Sequence, residues 1–523
     1  MGDPSRRVES VGPRSSTSAL SSTSLTQHLQ SQGKKARWDD RIPPLLRPLV
    51  KAYLIGYASA VGPRLLTLVI QHIKPHIAGA RQKKHDAQEE QHRQRKLDEA
   101  FLVSLGRVLK GGLDLQRFPT FCALMAGGST LCEVPLKSLL DKLAKQTSEL
   151  ARKRLSRFVA SFLASYLSLQ VLQSKPSPRF TSAATPKDAS SATTSHETKP
   201  PPTQQAGRTL DLTFFAVARA LDVLGGEAWN RYLTHSASPS SPINSLVSNI
   251  TDPAIFAVSS ALVMWSWFYR PSALPKTYNK WISSAAQVDD RLIQALQRCN
   301  DGSLIYGEDT GQAPLLCSLS KDLGLPEKWG DPAVSVPFPC ELVHLGCSPS
   351  CEYHALSRFV RSFIWAMKTY LPLSLLLAIR SPNLKGLKRA LVSAARSSAF
   401  LGTFITLFYY GVCLSRTRIG PHILGRAPET YTKIDGGICV GTGCFLCGWS
   451  ILIEKAGRRK DMGLFVAPRA LATLFPRRYD ADKQWKERLA FGLSTAVIFT
   501  CVLENKARVR GVFGSLLSGV LRD

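Results

Sequence analysis

The sequence predicts an all-α protein, a polytopic α-helical membrane protein with two related helical halves. Three observations predict this class: apolar residues are gathered into helix-length blocks, basic residues flank those blocks, and two apolar segments recur in the second half. The average composition hides this organisation, because 44% of the 523 residues are hydrophobic while the mean hydropathy is only -0.04.

The apolar blocks are the main evidence for membrane helices. The segment at 397–415, SSAFLGTFITLFYYGVCLS, carries no charge and is long enough to cross a hydrocarbon core, which takes about 20 apolar residues. Shorter blocks lie at 158–174, 254–269, 438–453 and 489–503. Flanking lysine and arginine side chains can reach the membrane surface and lengthen such helices. Together the blocks favour membrane helices over a soluble helical core.

The polar segments between the blocks divide the chain. We predict a disordered N-terminal tail at 1–40, a first group of membrane helices at 41–173, a disordered Ser/Thr/Pro-rich linker at 174–207, the remainder of the first helical half at 208–300, a connecting loop at 301–338 and a second helical half with a cysteine-rich start at 339–523. The tail and the linker lack apolar periodicity. The opening MGDPSRRVES has no apolar core, so we expect no secretory signal peptide.

An internal repeat predicts that the two halves are related. The segment at 211–224, DLTFFAVARALDVL, aligns without gaps on the segment at 461–474, DMGLFVAPRALATL. Downstream, FAVSSALVM from Phe256 aligns on FGLSTAVIF from Phe491. Membrane carriers are often built from such duplicated units, with the functional path at the repeat interface. Chance similarity between apolar helices is the alternative.

Two arginines hold equivalent positions in the repeat. Arg219 and Arg469 interrupt otherwise apolar stretches, where a charge must pair, reach the membrane surface or line a polar path. They are therefore the candidate intramembrane polar sites. Asp211 and Asp461 open the two copies, and we interpret them as helix N-caps.

The excess of basic over acidic residues limits the classes of partner that we expect. Lysine and arginine outnumber aspartate and glutamate by 67 to 38, giving a net charge of +29, which suits nucleic acid, an anionic membrane surface or the flanks of membrane helices. The apolar blocks favour the membrane, so we expect the lipid bilayer, lipids and other membrane proteins as partners and no nucleic acid. A soluble protein that binds nucleic acid is the rival hypothesis.

A cysteine-rich stretch, PCELVHLGCSPSCEYH at 339–354, resembles a metal site. Cys340, His344, Cys347 and Cys351 are four ligands of the types that bind zinc. Their spacing lacks the two close pairs of most structural zinc sites. We therefore interpret them as free thiols in a loop before a helix, with zinc and a Cys340–Cys351 disulfide as alternatives.

No motif predicts catalysis. A phosphate-binding glycine loop, a serine elbow, a zinc-protease motif and a kinase motif set are all absent from the sequence. The Cys-x-x-Cys pair of Cys444 and Cys447 lies inside an apolar block, where core thiols are expected. We predict a protein that is not an enzyme, with no cofactor and no resident metal.

Four segments of the second half carry a resemblance to a known family: TYLPLSLLLAIR, SSAFLGTFITLFYYGVCLSR, SILIEKAGRR and FVAPRALATLF. Through them the second half, about 339–520, resembles the transmembrane protein 135 family of peroxisomal membrane proteins. Its signature residues are Cys340, Pro349, Ser350, Cys351, Glu454, Arg458 and Arg459. His344 stands one place from the position of the family's histidine. The first half is similar, less specifically, to a wider group that is itself similar to the Tim17/Tim22/Tim23 membrane proteins.

The resemblance implies a function that the residues alone do not. It implies a multispanning helical protein of an intracellular organelle membrane, in peroxisomes or mitochondria with the peroxisome favoured, that supports lipid homeostasis and organelle dynamics. The family does not supply a biochemical activity, and the absence of catalysis is expected from the lack of catalytic motifs. The alternative is a transporter or a protein-translocation channel of the Tim17 type.

Overall fold

The computed structural model describes residues 38–79, 101–174, 205–235, 241–379 and 383–522. Within these residues the protein is all-α apart from one two-residue pairing of β1 (Gln205–Ala206) with β2 (Tyr479–Asp480), which confirms the predicted class. Most of the predicted tail and linker, and the polar segment at 81–100, lie outside the described residues.

The described residues of the first half form five long helices. They are α1 (Arg47–Gly79), α3 (Phe118–Leu143), α4 (Glu149–Gln173), α5 (Leu210–His235) and α6 (Pro242–Tyr269), with α2 at 101–112 between the first two. Side-chain caps fix several helix starts in the chain. Ser148 accepts a hydrogen bond from the Ala151 amide at the start of α4, as N-cap chemistry requires.

The second half repeats this series of helices. Its members are α11 (Cys351–Ala378), α12 (Leu384–Cys413), α15 (Cys439–Cys447) continued by a 3-10 turn at Gly448–Ile453, α16 (Ala456–Thr473) and α17 (Gln484–Glu504). Between α12 and α15 lie the short helices α13 (Ile419–Leu424) and α14 (Pro428–Lys433). The predicted repeat therefore pairs α5 with α16 and α6 with α17.

The repeat extends one helix further than the sequence comparison indicates. Helix α7 (Lys276–Ala286) follows α6, and helix α18 (Gly511–Leu521) follows α17. Both have 11 residues, and each follows a three-residue 3-10 turn, at Pro271–Ala273 and Lys506–Arg508. Low sequence similarity between α7 and α18 conceals this correspondence.

Helices α8 (Asp290–Asn300), α9 (Ala313–Asp322) and α10 (Cys340–Val343) connect the halves. The predicted loop at 301–338 therefore contains a helix, α9, and the interpretation of that whole segment as loop is wrong. Leu316 and Leu319 of α9 are buried against Tyr306 and Phe338. Burial of this apolar face stabilises the helix within the connecting segment.

The two repeats exchange their fifth helices. Helix α6 packs on α15 and α16 of the second repeat, and α17 packs on α4 and α5 of the first. The equivalent phenylalanines show this correspondence, because the Phe256 ring lies 5.7 Å from Phe400 and the Phe491 ring lies 5.7 Å from Phe121. Each repeat is therefore completed by a helix from the other.

Small residues allow the exchanged helices to approach closely. A Cβ on Gly492 of α17 would lie 3.0 Å from the Phe162 ring of α4. At the equivalent contact of the other repeat, a Cβ on Gly448 would lie 2.9 Å from the Cβ of Ala257 in α6. Close backbone approach at small residues is the usual way helices pack in lipid.

The central helices α5 and α16 are antiparallel. The ion pair of Asp211 with Arg477, 2.9 Å, joins the start of α5 to the end of α16. A twofold axis that relates two antiparallel helices is perpendicular to them. If these helices cross a membrane, the axis lies in its plane, which is the arrangement of inverted-topology repeats.

Five helical segments among the described residues are long and apolar enough to cross a membrane: Pro44–His72, Glu149–Gln173, Pro242–Tyr269, Leu384–Leu424 and Pro428–Ile453. The predicted blocks at 254–269, 397–415 and 438–453 each fall within one of these segments, and the block at 158–174 overlaps another to within one residue. The block at 489–503 forms most of α17. The structure thus confirms helices at every predicted block.

Candidate functional site

A largely apolar cavity of about 620 Å³ lies between helices of both repeats. Its walls come from α6, α7, α11, α12 and α16, and its lining residues are Phe256, Ser260, Val263, Met264, Tyr278, Trp281, Ile282, Ala285, Ala286, Tyr370, Phe400, Leu401, Phe404, Ile405, Asp461, Met462, Phe465 and Val466. A few polar groups among many apolar ones is the composition of ligand pockets of this size.

Arg469, a predicted polar site, lies beside this cavity. Its guanidinium carbon is 3.9 Å from the centroid of the Phe465 ring and 5.4 Å from that of Tyr278. Nη1 donates a hydrogen bond of 2.6 Å to the Phe465 carbonyl. The charge is therefore held against two aromatic rings of the cavity wall, a favourable cation–π arrangement.

Arg219, its repeat equivalent, has the same aromatic partners. Its guanidinium carbon lies 5.3 Å from the Phe215 centroid and 5.2 Å from that of Phe513. Phe215 is the repeat equivalent of Phe465, and Phe513 of α18 holds the place of Tyr278 of α7. The two predicted arginines are thus confirmed as structural equivalents, although Arg219 is buried and Arg469 is half-buried.

The aspartates that open the two repeat copies have other roles than predicted. Asp211 lies inside the first turn of α5 and pairs with Arg477. Asp461 lies within α16, and its Oδ1 accepts a hydrogen bond of 3.3 Å from the Val512 amide at the start of α18. The interpretation of each as the N-cap of its own helix is wrong, because both helices begin before the aspartate.

Glu454 is a buried carboxylate at the start of α16. Its Oε1 accepts a 2.6 Å hydrogen bond from Ser397, and its Oε2 lies 3.7 Å from Nη1 of Arg458. Arg459 donates to the Glu454 carbonyl at 2.7 Å. Glu454 and Arg458 thus form an i,i+4 ion pair, and the carboxylate, which is 2% exposed, anchors this turn to α12.

The cysteine-rich stretch folds so that only part of the predicted ligand set converges. The ligand atoms of Cys340, His344 and Cys351 all lie within 4.8 Å of one another. Cys347 does not belong to this group, because the turn that follows α10 separates it from the others. All twelve cysteines are free thiols, so the Cys340–Cys351 disulfide is not formed.

A further thiol near this group, which the sequence does not indicate, comes from the end of α12. The Sγ atom of Cys413 lies 3.3 Å from Nε2 of His344. The other ring nitrogen of His344, Nδ1, lies 2.6 Å from the Ser348 carbonyl oxygen. A carbonyl oxygen only accepts hydrogen bonds, so Nδ1 carries the proton and the Nε2 lone pair points to Cys413.

Burial raises the pKa of the Cys340 thiol to about 11, and the nearby Cys351 adds to the rise.

The signature residues Pro349 and Ser350 shape the start of α11. Ser350 is the N-cap of that helix, and its Oγ accepts a hydrogen bond of 3.3 Å from the Tyr353 amide. Pro349 precedes this cap and restricts the turn that leads into it. Together they position Cys351, the first residue of α11, next to Cys340 and His344.

A buried ion pair adjoins this cysteine–histidine group. Arg416 donates to Asp435 from Nε at 2.6 Å and from Nη2 at 2.9 Å, and the Tyr306 hydroxyl donates to the same carboxylate at 2.6 Å. Each partner sits on a π-helical turn, at Leu414–Arg418 and Ile434–Ile438. The sequence signal for this pair is weak, since the two residues look like ordinary flanks of apolar blocks.

Cys444 and Cys447 are buried, as expected for core thiols.

In the comparisons with known proteins, no protein-family model, no curated protein and no solved structure matches this chain.

Proposed function

We propose that this protein is a non-enzymatic polytopic membrane protein of an intracellular organelle, peroxisomal rather than mitochondrial, which binds a lipid in the cavity and thereby supports lipid homeostasis and organelle dynamics. The observation that carries the proposal is the aromatic-lined cavity at the interface of two repeats. The five candidate membrane spans support the membrane location, and the resemblance to the transmembrane protein 135 family supports the choice of organelle.

The cavity chemistry favours a lipid over a polar solute. Its volume of about 620 Å³ lies inside the range of small-molecule pockets, roughly 300 to 1,000 Å³. Aromatic and aliphatic side chains would hold a hydrocarbon chain by apolar burial. Asp461 on the lining and Arg469 beside it, about two turns apart on α16, supply polar groups for a lipid headgroup.

The lipid-binding proposal is tested by photo-crosslinking. The full chain, purified in detergent, is irradiated with a diazirine fatty acid, and the labelled peptides are mapped. We expect labels on α6, α12 and α16. Val263→Trp would fill the cavity and abolish labelling, because Val263 lines it and is 3% exposed.

Val258→Trp is the matched control on the same helix. Val258 is 62% exposed and faces away from the cavity, so this variant should label like the parent chain. Equal labelling of the two variants, with both showing the parent's thermal unfolding, would rule out the cavity as the lipid site. Labels confined to other helices would do the same.

A transporter or translocation channel of the Tim17 type is the second candidate. The antiparallel repeats favour it, since inverted-topology repeats are common in secondary transporters. In reconstituted vesicles, this function predicts substrate flux that falls when Arg469 or Arg219 is changed to alanine. Flux that both alanine variants preserve would exclude the arginines from the path.

A further inference from the structure

We propose that Cys340, His344, Cys351 and Cys413 form a structural zinc site that ties the connecting segment to the start of α11 and the end of α12. This site is independent of the lipid-binding cavity. It differs from the set that the sequence suggests, because Cys413 replaces Cys347.

The distances suit a tetrahedral ion. With zinc–sulfur bonds of about 2.3 Å and a zinc–nitrogen bond of about 2.0 Å, neighbouring ligand atoms in a tetrahedron lie roughly 3.6 to 3.8 Å apart. The Cys413 Sγ to His344 Nε2 distance is 3.3 Å, and the other ligand atoms lie within 4.8 Å of one another. The Cys413 thiol lies more than 4.8 Å from at least one of the other two thiols, so zinc binding would draw it inward to complete the tetrahedron.

The histidine is oriented as a ligand. Zinc-bound histidines usually donate their second ring proton to a carbonyl or carboxylate, which fixes the tautomer. His344 does this through Nδ1 and the Ser348 carbonyl. The ring is 2% exposed and stacks on His354, with centroids 4.1 Å apart. Its Nε2 is thus held toward the thiols with little freedom to turn away.

The surrounding charge suits three thiolates and one imidazole around Zn²⁺, a unit with one net negative charge. Arg358 and Arg416 both act electrostatically on the His344 ring. Arg416 is neutralised by Asp435. Arg358 is 5% exposed and donates to the carbonyls of Ala286 and Gln287, but it has no carboxylate partner in the described part of the chain. The anionic zinc unit would compensate this buried positive charge.

The ligand set makes the site structural rather than catalytic. Four protein ligands close the coordination sphere, whereas a catalytic zinc keeps one position for water or substrate. Cys340 starts α10, Cys351 starts α11 and Cys413 ends α12. A single ion would thus join three elements that are separated along the chain.

Metal content of the purified full chain tests the proposal. We expect about one zinc per chain by inductively coupled plasma mass spectrometry in the parent protein. Cys413→Ser should lower zinc occupancy at limiting zinc by at least about tenfold. Cys347→Ser is the matched control and should keep the zinc. His354→Phe preserves the ring stack and should also keep it.

A second measurement covers the case in which Cys413→Ser does not fold. X-ray absorption at the zinc edge of the parent chain should give three sulfur ligands and one nitrogen ligand. A spectrum with two or fewer sulfur ligands would overturn the proposal. So would a parent chain that binds no zinc after dialysis against a zinc-containing buffer. If Cys347→Ser loses zinc and Cys413→Ser keeps it, the fourth ligand is Cys347 and not Cys413. That result would also overturn the proposal.

Discussion

Arg416 and Asp435 illustrate, at the scale of single residues, how this protein tolerates charge beside apolar helices. Both side chains are 5% exposed. Their doubly hydrogen-bonded geometry and the Tyr306 hydroxyl satisfy the carboxylate. A buried pair of this kind is costly to break, because removal of one partner leaves the other charged and unpaired.

Asp435→Asn should therefore destabilise the protein by about 3–5 kcal/mol, measured by unfolding in detergent. The exposed pair of Lys483 with Asp480, 59% and 72% exposed, is the control, and Asp480→Asn should cost less than about 1 kcal/mol. A triple variant with Arg416→Met, Asp435→Leu and Tyr306→Phe should recover part of the loss. Equal effects of the two asparagine variants would show that the buried pair contributes little.

Asp289 provides a pH-dependent contribution outside the candidate spans. Hydrogen bonds from the Arg291 side chain lower the pKa of Asp289 below its usual value. The folded state thus binds a proton less readily than the unfolded state. This contribution is present above the unfolded pKa and is lost as the pH falls through that value toward the lower folded pKa.

Asp289→Asn should remove this dependence while keeping a good N-cap at the start of α8. The variant should be less stable than the parent by about 1 kcal/mol near pH 7, and the difference should shrink as the pH falls below about 4. Thermal unfolding at several pH values measures this. A difference that stays constant with pH would exclude the ion pair as its cause.

The sequence identifies some functional residues well and others not at all. Arg219 and Arg469 stand out because a repeat places both at one position. Cys413 is missed, since it looks like an isolated thiol in an apolar block and lies far along the chain from Cys351. Convergence of such residues depends on helix packing, which local spacing does not encode.

At the scale of helices, small residues set the distances between the exchanged partners. A Cβ on Gly448 would press against the backbone of Ala257, whereas one on Gly492 would meet the Phe162 ring. A ring can move more readily than helix backbone. The two glycines lie at equivalent contacts of the two repeats, on opposite partners of each contact, and they therefore differ in how well they tolerate substitution.

Gly448→Ala should destabilise the protein by about 1–3 kcal/mol, and Gly492→Ala should destabilise it less. Gly225, in the middle of α5, has open space around it, so Gly225→Ala should stabilise by about 0.5–1 kcal/mol. Thermal unfolding in one detergent gives the order. A Gly448→Ala variant as stable as Gly225→Ala would show that α6 does not pack closely against this turn.

Helix positions were predictable from apolar blocks, and partner exchange was not. Each block gives a helix because its length and its lack of charge are local properties. Which helix packs on which depends on contacts between residues more than two hundred positions apart, such as Phe121 with Phe491. The similarity of the two halves indicated the duplication without showing that their fifth helices cross over.

For the whole molecule, the five candidate spans predict integral membrane attachment. Alkaline carbonate should leave the full chain in the membrane pellet, because spanning helices stay in the bilayer. A basic protein bound to nucleic acid or to the membrane surface would be released by carbonate or by high salt. Release under either condition would favour that rival hypothesis.

The most direct test of whether the two repeats are inverted is to measure on which side of the membrane two equivalent turns lie. Ser272 and Ala507 are exposed and occupy matching places in the 3-10 turns that follow α6 and α17. Each is changed to cysteine, and intact organelles are treated with a membrane-impermeant maleimide polymer before and after permeabilisation. The inverted arrangement predicts that one of the two sites is modified before permeabilisation and the other only after it. Modification of both sites from the same side of the membrane would show that the two repeats are not inverted.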